Sequence, residues 1–259
     1  MASDYIRIQD LYDIPDARVP VCLCLDTSGS MNTTKGGTRT GRKVTVDKKD
    51  YYEVTGGVSR LDILQKGIQA FYDAVYKDEN ARYAAEISIV TFDDTAKVQT
   101  DFSRVEYNDV REEVPKLTAG GNTSLGLGIN KALDRLEQRK KEYKDSGVDY
   151  FQPWLVIMTD GENNLFPEEL DKARRRIKKM VEEKRLCVYP FIIGTDEGKD
   201  TLASLSPKQP PLRIEITQMQ GLFKWLGSSV AQASSGSIGT GNAPVLTVFE
   251  VKDWGEPLE

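Results

Sequence analysis

Continuous apolar runs alternate with amphipathic segments along most of the chain. Four runs have the length and composition of buried strands, and they cover residues 20–25, 84–92, 153–160 and 186–194. Two shorter runs are also predicted to be strands, 96–102 as a partner of 84–92, and 212–217. The pattern thus predicts six strands distributed along the chain.

Helical spacing of apolar residues predicts what lies between these strands. The segment 59–80 has an apolar residue at every third or fourth position and Ser59 as its N-cap. Another helix opens at Thr123 or Ser124, and a third begins with Pro167. Two further helices are predicted, at 108–117 and 221–233.

The near-continuous hydrophobicity of the strands indicates a sheet that is covered on both faces. Strands separated by amphipathic helices are typical of a mostly parallel sheet. We therefore predict an α/β fold, doubly wound and Rossmann-like, with helices on both faces of the central sheet and one short antiparallel edge strand. Ligands of such folds bind beyond the carboxyl ends of the strands.

Polar segments divide the chain around this domain. We expect an N-terminal extension at 1–19, the main domain at 20–233, a flexible Gly/Ser linker at 234–244 and a C-terminal tail at 245–259. The tail alternates like a strand, and the sequence leaves open whether it joins the sheet edge or binds a partner.

A polar insertion at residues 33–57 interrupts the main domain. Its sequences RKVTV and YYEV, joined by DKKD, predict a β-hairpin. The insertion is either a decorative surface loop or a partner-recognition arm. We give the name basic arm to four of its basic residues: Lys35, Arg39, Arg42 and Lys43.

Composition excludes several kinds of chemistry. The chain has no histidine, which excludes a Ser-His-Asp triad and His-ligated zinc or haem. The net charge of −5 gives no support to nucleic-acid binding, and no apolar run approaches membrane-spanning length. The three cysteines lie in apolar runs, as reduced core cysteines do, so we expect a cytoplasmic protein.

Small oxygen-bearing side chains follow two of the predicted strands. Asp26, Ser28 and Ser30 come at alternate positions after the first strand, and Asp160 ends the strand at 153–160. Thr123 lies in the loop that enters a helix and can reach the same edge of the sheet. Carboxylates and hydroxyls without sulfur or nitrogen suit Mg²⁺ or Mn²⁺. Asp93 and Asp94, after the second strand, are interpreted as turn or capping residues.

This pattern resembles the von Willebrand factor type A (VWA) domain, whose metal-ion-dependent adhesion site (MIDAS) combines DxSxS with a distant Thr and a distant Asp. The resemblance covers about residues 20–233. The motifs DTSGSM, GGNTSLGLG and VIMTDGEN are similar to those of bacterial cytoplasmic family members from tellurite-resistance and stress-response systems. The resemblance implies that Ser28 and Ser30 bind the metal directly, Thr123 directly or through water, and Asp26 and Asp160 often through water. It also implies Mg²⁺, or Mn²⁺ or Ca²⁺, as the ion and a protein partner that offers an acidic side chain to it.

An enzyme is the alternative from another class. A strand ending in Asp26 also fits a Mg²⁺-dependent aspartyl phosphatase of the haloacid dehalogenase type, with Asp26 as nucleophile. That family needs a second aspartate two residues later as general acid, and this chain has Ser28, whose hydroxyl is a poor acid. We therefore predict a metal-dependent protein-interaction module without enzymatic activity.

Overall fold

The structure is a computed structural model that describes residues 17–35, 37–46, 49–105, 115–161, 165–194, 197–206, 208, 210–214, 227–230 and 256–257. The predicted N-terminal extension up to residue 16, most of the helix expected at 108–117, the linker and most of the tail lie outside this part. Of the helix expected at 221–233, the structure describes residues 227–230, which are helical.

Besides the helical residues 227–230, the described part of the chain contains eleven strands and five α-helices. The strands are β1 (Val19–Asp26), β2 (Thr34–Lys35), β3 (Thr38–Val46), β4 (Lys49–Thr55), β5 (Val58–Ser59), β6 (Ala85–Phe92), β7 (Ala96–Arg104), β8 (Trp154–Thr159), β9 (Cys187–Ile193), β10 (Leu212–Ile214) and β11 (Glu256–Pro257). The helices are α1 (Arg60–Lys77), α2 (Glu79–Ala84), α3 (Leu125–Ser146), α4 (Pro167–Glu182) and α5 (Lys199–Leu205).

Seven of these strands form one sheet in the order β11-β10-β9-β8-β1-β6-β7. The five strands from β10 to β6 are parallel, and β7 pairs antiparallel with β6 at one edge. This confirms the predicted doubly wound α/β fold. The antiparallel edge strand β7 has nine residues and is longer than predicted, and two residues of the tail, β11, add a second antiparallel strand at the other edge.

Alternating side chains of β1 serve two separate cores, because successive residues of a strand face opposite sides of the sheet. Val19, Val21, Leu23 and Leu25 belong to the core on the side of α1. Cys22 and Cys24 belong to the core on the side of α3 and α4. Every residue of β1, β6 and β8 is buried, as expected for strands covered on both faces.

The helix α1 starts with a capping box, as the sequence predicts for Ser59. The Ser59 hydroxyl accepts a hydrogen bond from Asp62 N, and the Asp62 carboxylate accepts one from Ser59 N. These bonds lower the pKa of Asp62. The predicted single helix over 59–80 is broken at Asp78, whose side chain caps the short helix α2 by accepting from Ala81 N.

The insertion forms the predicted hairpin, from β3 and β4, with a register irregularity between Arg39 and Lys43. The antiparallel pair of β2 and β5 closes its base, through Thr34 opposite Ser59 and Lys35 opposite Val58. Both ends of the insertion are therefore held at the start of α1.

A buried ionic cluster lies at the opposite end of the sheet, where β1 and β6 begin. The Glu86 carboxylate accepts from Arg139 Nε at 2.7 Å and from Tyr143 Oη at 2.6 Å. Arg18 Nε lies 3.5 Å from the other Glu86 oxygen. All four side chains are buried, so this cluster holds α3 against the sheet far from the strand ends that carry the oxygen-rich motif.

Among the helices in the described part of the chain, none is long and apolar enough to cross a membrane.

Candidate metal centre

The oxygen-rich motif lies at the topological switch point of the sheet. The chain runs from β1 to β6 on one side and later returns to β8 on the other side of β1. Asp26 is the last residue of β1, and Asp160 directly follows β8, its parallel neighbour. The two carboxylates therefore lie at the crevice where ligands of doubly wound folds bind.

Asp26 is completely buried and held by hydrogen bonds from Ser28 and Thr159. Its Oδ1 accepts from Ser28 N at 2.8 Å, and its Oδ2 accepts from the Thr159 hydroxyl. Burial, together with the nearby carboxylate of Asp160, raises the pKa of Asp26 to about 7. Two buried carboxylates in close proximity form a site that a cation would stabilise.

The loop after β1 brings both serines to the same side. Residues 29–32 form a 3-10 turn, with Met31 N bonded to the Ser28 carbonyl, and the Met31 side chain is buried in the core. Ser28 Oγ lies 3.1 Å from Ser30 Oγ, and Ser30 Oγ donates to Asp160 Oδ1 at 2.7 Å. The core thus anchors the loop while its hydroxyls face Asp160.

Thr123 reaches this edge because its loop is bonded to the loop after β1. Gly29 N donates to the Gly121 carbonyl, and Gly120 N donates to the Thr27 carbonyl, both at 2.9 Å. Thr123 is buried, and Ser124 begins α3 as its N-cap residue. The structure therefore places all five predicted residues at one edge of the sheet. Hydrogen bonds link four of them in a row, between Asp26 and Ser28, between Ser28 and Ser30, and between Ser30 and Asp160.

Asp94 holds the Thr123 loop, in agreement with the structural role predicted for it. Its carboxylate accepts from Asn122 N at 3.0 Å and from Asn122 Nδ2 at 2.7 Å, and these bonds lower its pKa. Gly121 has φ +68°, and a Cβ there would lie 2.4 Å from Asp94 Oδ2, so this close approach requires glycine. Asp93 makes a turn by accepting from Thr95 N and Oγ1.

Arg60 is a site residue that the sequence analysis did not identify. It is the first residue of α1, and its Nη1 donates to Asp160 Oδ2. A positively charged side chain is unfavourable at the N-terminus of a helix because of the helix dipole. An arginine directly after the predicted N-cap Ser59 was therefore the signal in the sequence that could have pointed to a role for Arg60. Thr159, which donates to Asp26, was also missed, because a threonine in an apolar strand is unremarkable in sequence.

The arrangement of oxygens fits a small divalent cation. Neighbouring ligands of an octahedral Mg²⁺, at bond lengths of about 2.0–2.1 Å, lie about 2.9 Å apart. The distances of 3.1 Å between the serine hydroxyls and 2.7 Å from Ser30 Oγ to Asp160 Oδ1 lie close to that value. In the described part of the chain, no group of three or more His, Cys, Asp or Glu side chains could hold a metal. The candidate site instead combines two carboxylates with three hydroxyls.

Three solved structures illustrate what the fold resembles. A von Willebrand factor type A protein from Catenulispora acidiphila is 16% identical, with a TM-score of 0.57, over 83% of this chain and 43% of that one. The PilB minor pilin from Streptococcus sanguinis is 17% identical, with a TM-score of 0.57, over 86% and 64%. Proximal thread matrix protein 1 from the mussel byssus, with a zinc-occupied MIDAS motif, is 15% identical, with a TM-score of 0.51, over 82% and 46%.

This chain spans less than two thirds of the length of each of these three structures. At such identities the likeness concerns the fold. A comparison with curated proteins gave no match. The family model of the von Willebrand factor type A domain, however, matches residues 21–162, more than half of the chain, and includes every residue of the candidate site. The chain therefore belongs to the von Willebrand factor type A domain family.

Proposed function

We propose that this chain is a protein-interaction module that depends on a divalent metal held by Asp26, Ser28, Ser30, Thr123 and Asp160. The observation that carries the proposal is the chain of short contacts from Ser28 Oγ through Ser30 Oγ to Asp160 at the switch point. Domains of this family generally mediate protein–protein interaction. The zinc-occupied MIDAS motif of the mussel byssus protein supports metal binding on this fold.

The residues have distinct tasks in this proposal. Ser28 and Ser30 ligate the ion with their hydroxyls, and Thr123 joins them directly or through water. Asp26 and Asp160 balance the charge of the ion, and the bonds from Ser28 N and Thr159 keep Asp26 in place. Mg²⁺ is the proposed ion, with Mn²⁺ or Ca²⁺ as substitutes, and it supplies a positive charge that an acidic side chain of the partner can bind.

Exposed basic and aromatic side chains on the hairpin and after β8 support a protein partner with acidic groups. Arg42, Lys43 and Tyr52 of the hairpin are exposed, and Lys43 Nζ lies 5.6 Å from the centre of the Tyr52 ring. Phe166, six residues after Asp160, is also exposed although it is a large apolar residue. Basic and aromatic side chains together are typical of interface residues. We propose that the hairpin is a partner-recognition arm beside the metal.

We also propose that the module has no hydrolytic activity. Ser28 occupies the position where a haloacid dehalogenase-type phosphatase has its acidic aspartate, and its backbone N–H donates to Asp26. With Mg²⁺, we expect no turnover of p-nitrophenyl phosphate beyond the rate without protein. If the parent hydrolyses p-nitrophenyl phosphate and Asp26→Asn does not, the chain is a phosphatase and this proposal is wrong.

The proposed setting is the cytoplasm, in a stress-response system similar to tellurite resistance. Cys22, Cys24 and Cys187 are free, and burial raises the pKa of Cys22 to about 12. Buried, unreactive thiols are compatible with a reducing compartment.

Calorimetric titration of the full chain with Mn²⁺ and Mg²⁺ tests the proposal. The parent should bind one ion, and Ser30→Ala should weaken binding at least about tenfold, since it removes a ligand that also contacts Asp160. Ser204→Ala, on the exposed side of α5, is the control and should bind like the parent.

The partner half of the proposal needs a second experiment. Immobilised parent loaded with Mn²⁺ should retain a protein from a cell extract, release it with EDTA, and fail to retain it as Ser30→Ala. A parent that takes up neither ion, or retention of that protein unaffected by EDTA, would overturn the proposal.

A further inference from the structure

The carboxylate of Asp160 already has a donor from the protein on each oxygen. Ser30 Oγ donates to Oδ1, and the Arg60 guanidinium donates to Oδ2. Asp160 is almost completely buried, whereas the Arg60 side chain is 17% exposed. A positive charge of the protein itself thus contacts one of the two carboxylates that would bind the metal.

Two features of the Arg60 position are energetically unfavourable for its guanidinium. As the first residue of α1, it places its charge at the positive end of the helix dipole. Its Nε is buried and has no hydrogen-bond partner among the described residues, which costs free energy. Its backbone is fixed, since Arg60 N donates to the Thr33 carbonyl at 3.1 Å. The ion pair with Asp160 is what offsets these costs.

We infer that Arg60 is an internal counter-ion of Asp160 that competes with the divalent cation and lowers the metal affinity of the site. The inference rests on the proposed metal-binding function and adds a regulator to it. Without metal, the guanidinium neutralises a buried carboxylate. A cation that enters must share Asp160 with a like charge or displace the guanidinium from Oδ2, and either event weakens binding.

A purely positioning role for Arg60 predicts the opposite sign. If the guanidinium only held Asp160 in the right orientation for the metal, its removal would loosen a ligand and weaken binding. Competition predicts that removal strengthens binding. The sign of the change therefore separates the two roles.

Calorimetry with Mn²⁺ on the full chain gives that sign. Arg60→Gln should bind Mn²⁺ about tenfold tighter, a change of about 1.4 kcal/mol. Arg60→Lys keeps the charge and should stay within about threefold of the parent. Arg135→Gln is the matched control and should bind like the parent, because Arg135 forms a partly buried ion pair with Asp101 away from the site.

Thermal unfolding of the same variants provides a readout independent of affinity. Metal-free Arg60→Gln should melt at a lower temperature than the metal-free parent, because Asp160 loses its counter-ion. Saturating Mn²⁺ should raise the melting temperature of Arg60→Gln by more than it raises that of the parent. A parent that binds Mn²⁺ while Arg60→Gln binds equally or more weakly would overturn the inference and leave the metal site standing. A parent without Mn²⁺ binding would overturn both.

A measurement on the unaltered protein keeps the inference testable if Arg60→Gln does not fold. In ¹⁵N NMR of the guanidinium groups, Arg60, assigned by its absence in Arg60→Lys, should show restricted Nη rotation without metal. Saturating Mg²⁺ should shift this signal and free the rotation. An Arg60 signal that Mg²⁺ leaves unchanged, at concentrations where calorimetry shows the site filled, would refute the competition.

Discussion

Replacing Asp26 with asparagine should separate metal binding from folding. Asparagine has the same shape, and its Oδ1 can still accept from Ser28 N. Its Nδ2 would face the Thr159 hydroxyl, which can then accept and turn its own proton toward the Gly161 carbonyl, 3.3 Å away. The hydrogen bonds with Ser28 N and Thr159 thus have replacements, while one of two neighbouring buried carboxylates is neutralised.

The expected magnitudes follow from these contacts. Because the fully buried Asp26 lies beside Asp160, its neutralisation removes repulsion, and the metal-free variant should lose no more than about 1 kcal/mol of stability. Loss of a charged group that supports a metal typically weakens binding about 10–100-fold. At a metal concentration 100 times the parent Kd, binding stabilises the parent by about 2.7 kcal/mol, and a variant with 100-fold weaker affinity by about 0.4 kcal/mol.

Thermal unfolding with and without Mg²⁺ measures both quantities. For a chain of this size, the metal should raise the Tm of the parent by about 5–11 °C and that of Asp26→Asn by about 1 °C. Asp171→Asn, on the exposed surface of α4, should keep the parental shift. An undiminished shift in Asp26→Asn would exclude Asp26 from the metal site. A loss of several kcal/mol without metal would show that its role is structural.

Three further predictions concern the hairpin and the buried ionic cluster. Replacing the four residues of the basic arm with serine should slow association with a captured partner several-fold at low salt and much less at high salt in stopped-flow measurements, because charges at an interface act mainly on the association rate and salt screens them. Equal rates at low salt would make the hairpin decorative. Residues 36–57 can be replaced with an Asn-Gly turn, which suits the antiparallel pair of β2 and β5. This variant should keep its Mn²⁺ affinity, measured by calorimetry, within about threefold of the parent, and a much larger loss would show that the hairpin helps to build the site. Arg139→Met should lower the free energy of unfolding in urea by about 3–5 kcal/mol, because it leaves the buried Glu86 with the more distant Arg18 as its ion-pair partner. The control Arg135→Met should cost at most about 1 kcal/mol, and similar losses in both variants would contradict a stabilising role of the cluster.

The strands could be predicted because both of their faces are buried. A continuous apolar run such as that of β1 or β8 has few competing interpretations when polar segments bound it. The order of these runs along the chain then places their carboxyl ends at one edge, which is why the sequence predicted that Asp26 and Asp160 lie together. Their role as metal ligands remains a prediction.

Contacts that depend on three-dimensional register could not be predicted in the same way. Arg60 and Asp160 are 100 positions apart, and neither the apolar spacing of α1 nor the strand pattern indicates which side chain meets Asp160. The break at Asp78 was missed because residues 77–80 are all polar and carry no apolar spacing that marks where the helix ends, although aspartate is a residue type that prefers the cap position. The pairing of β11 with β10 involves only two residues, too short a stretch for any periodicity.

The position of the hairpin explains how a long insertion can coexist with an intact serine loop after β1. Thr33 N donates to the Ser30 carbonyl, and the Thr33 carbonyl accepts from Arg60 N, so one residue joins the serine loop to the start of α1. Thr34 then pairs with Ser59 before the chain leaves for the hairpin. Because this pairing closes the base of the hairpin, we expect hairpin residues beyond it to add little to the geometry of Ser28 and Ser30. The same closure holds the base of the hairpin next to Arg60, the first residue of α1. If the hairpin is the proposed partner-recognition arm, its base therefore adjoins the residue that we propose to compete with the metal for Asp160.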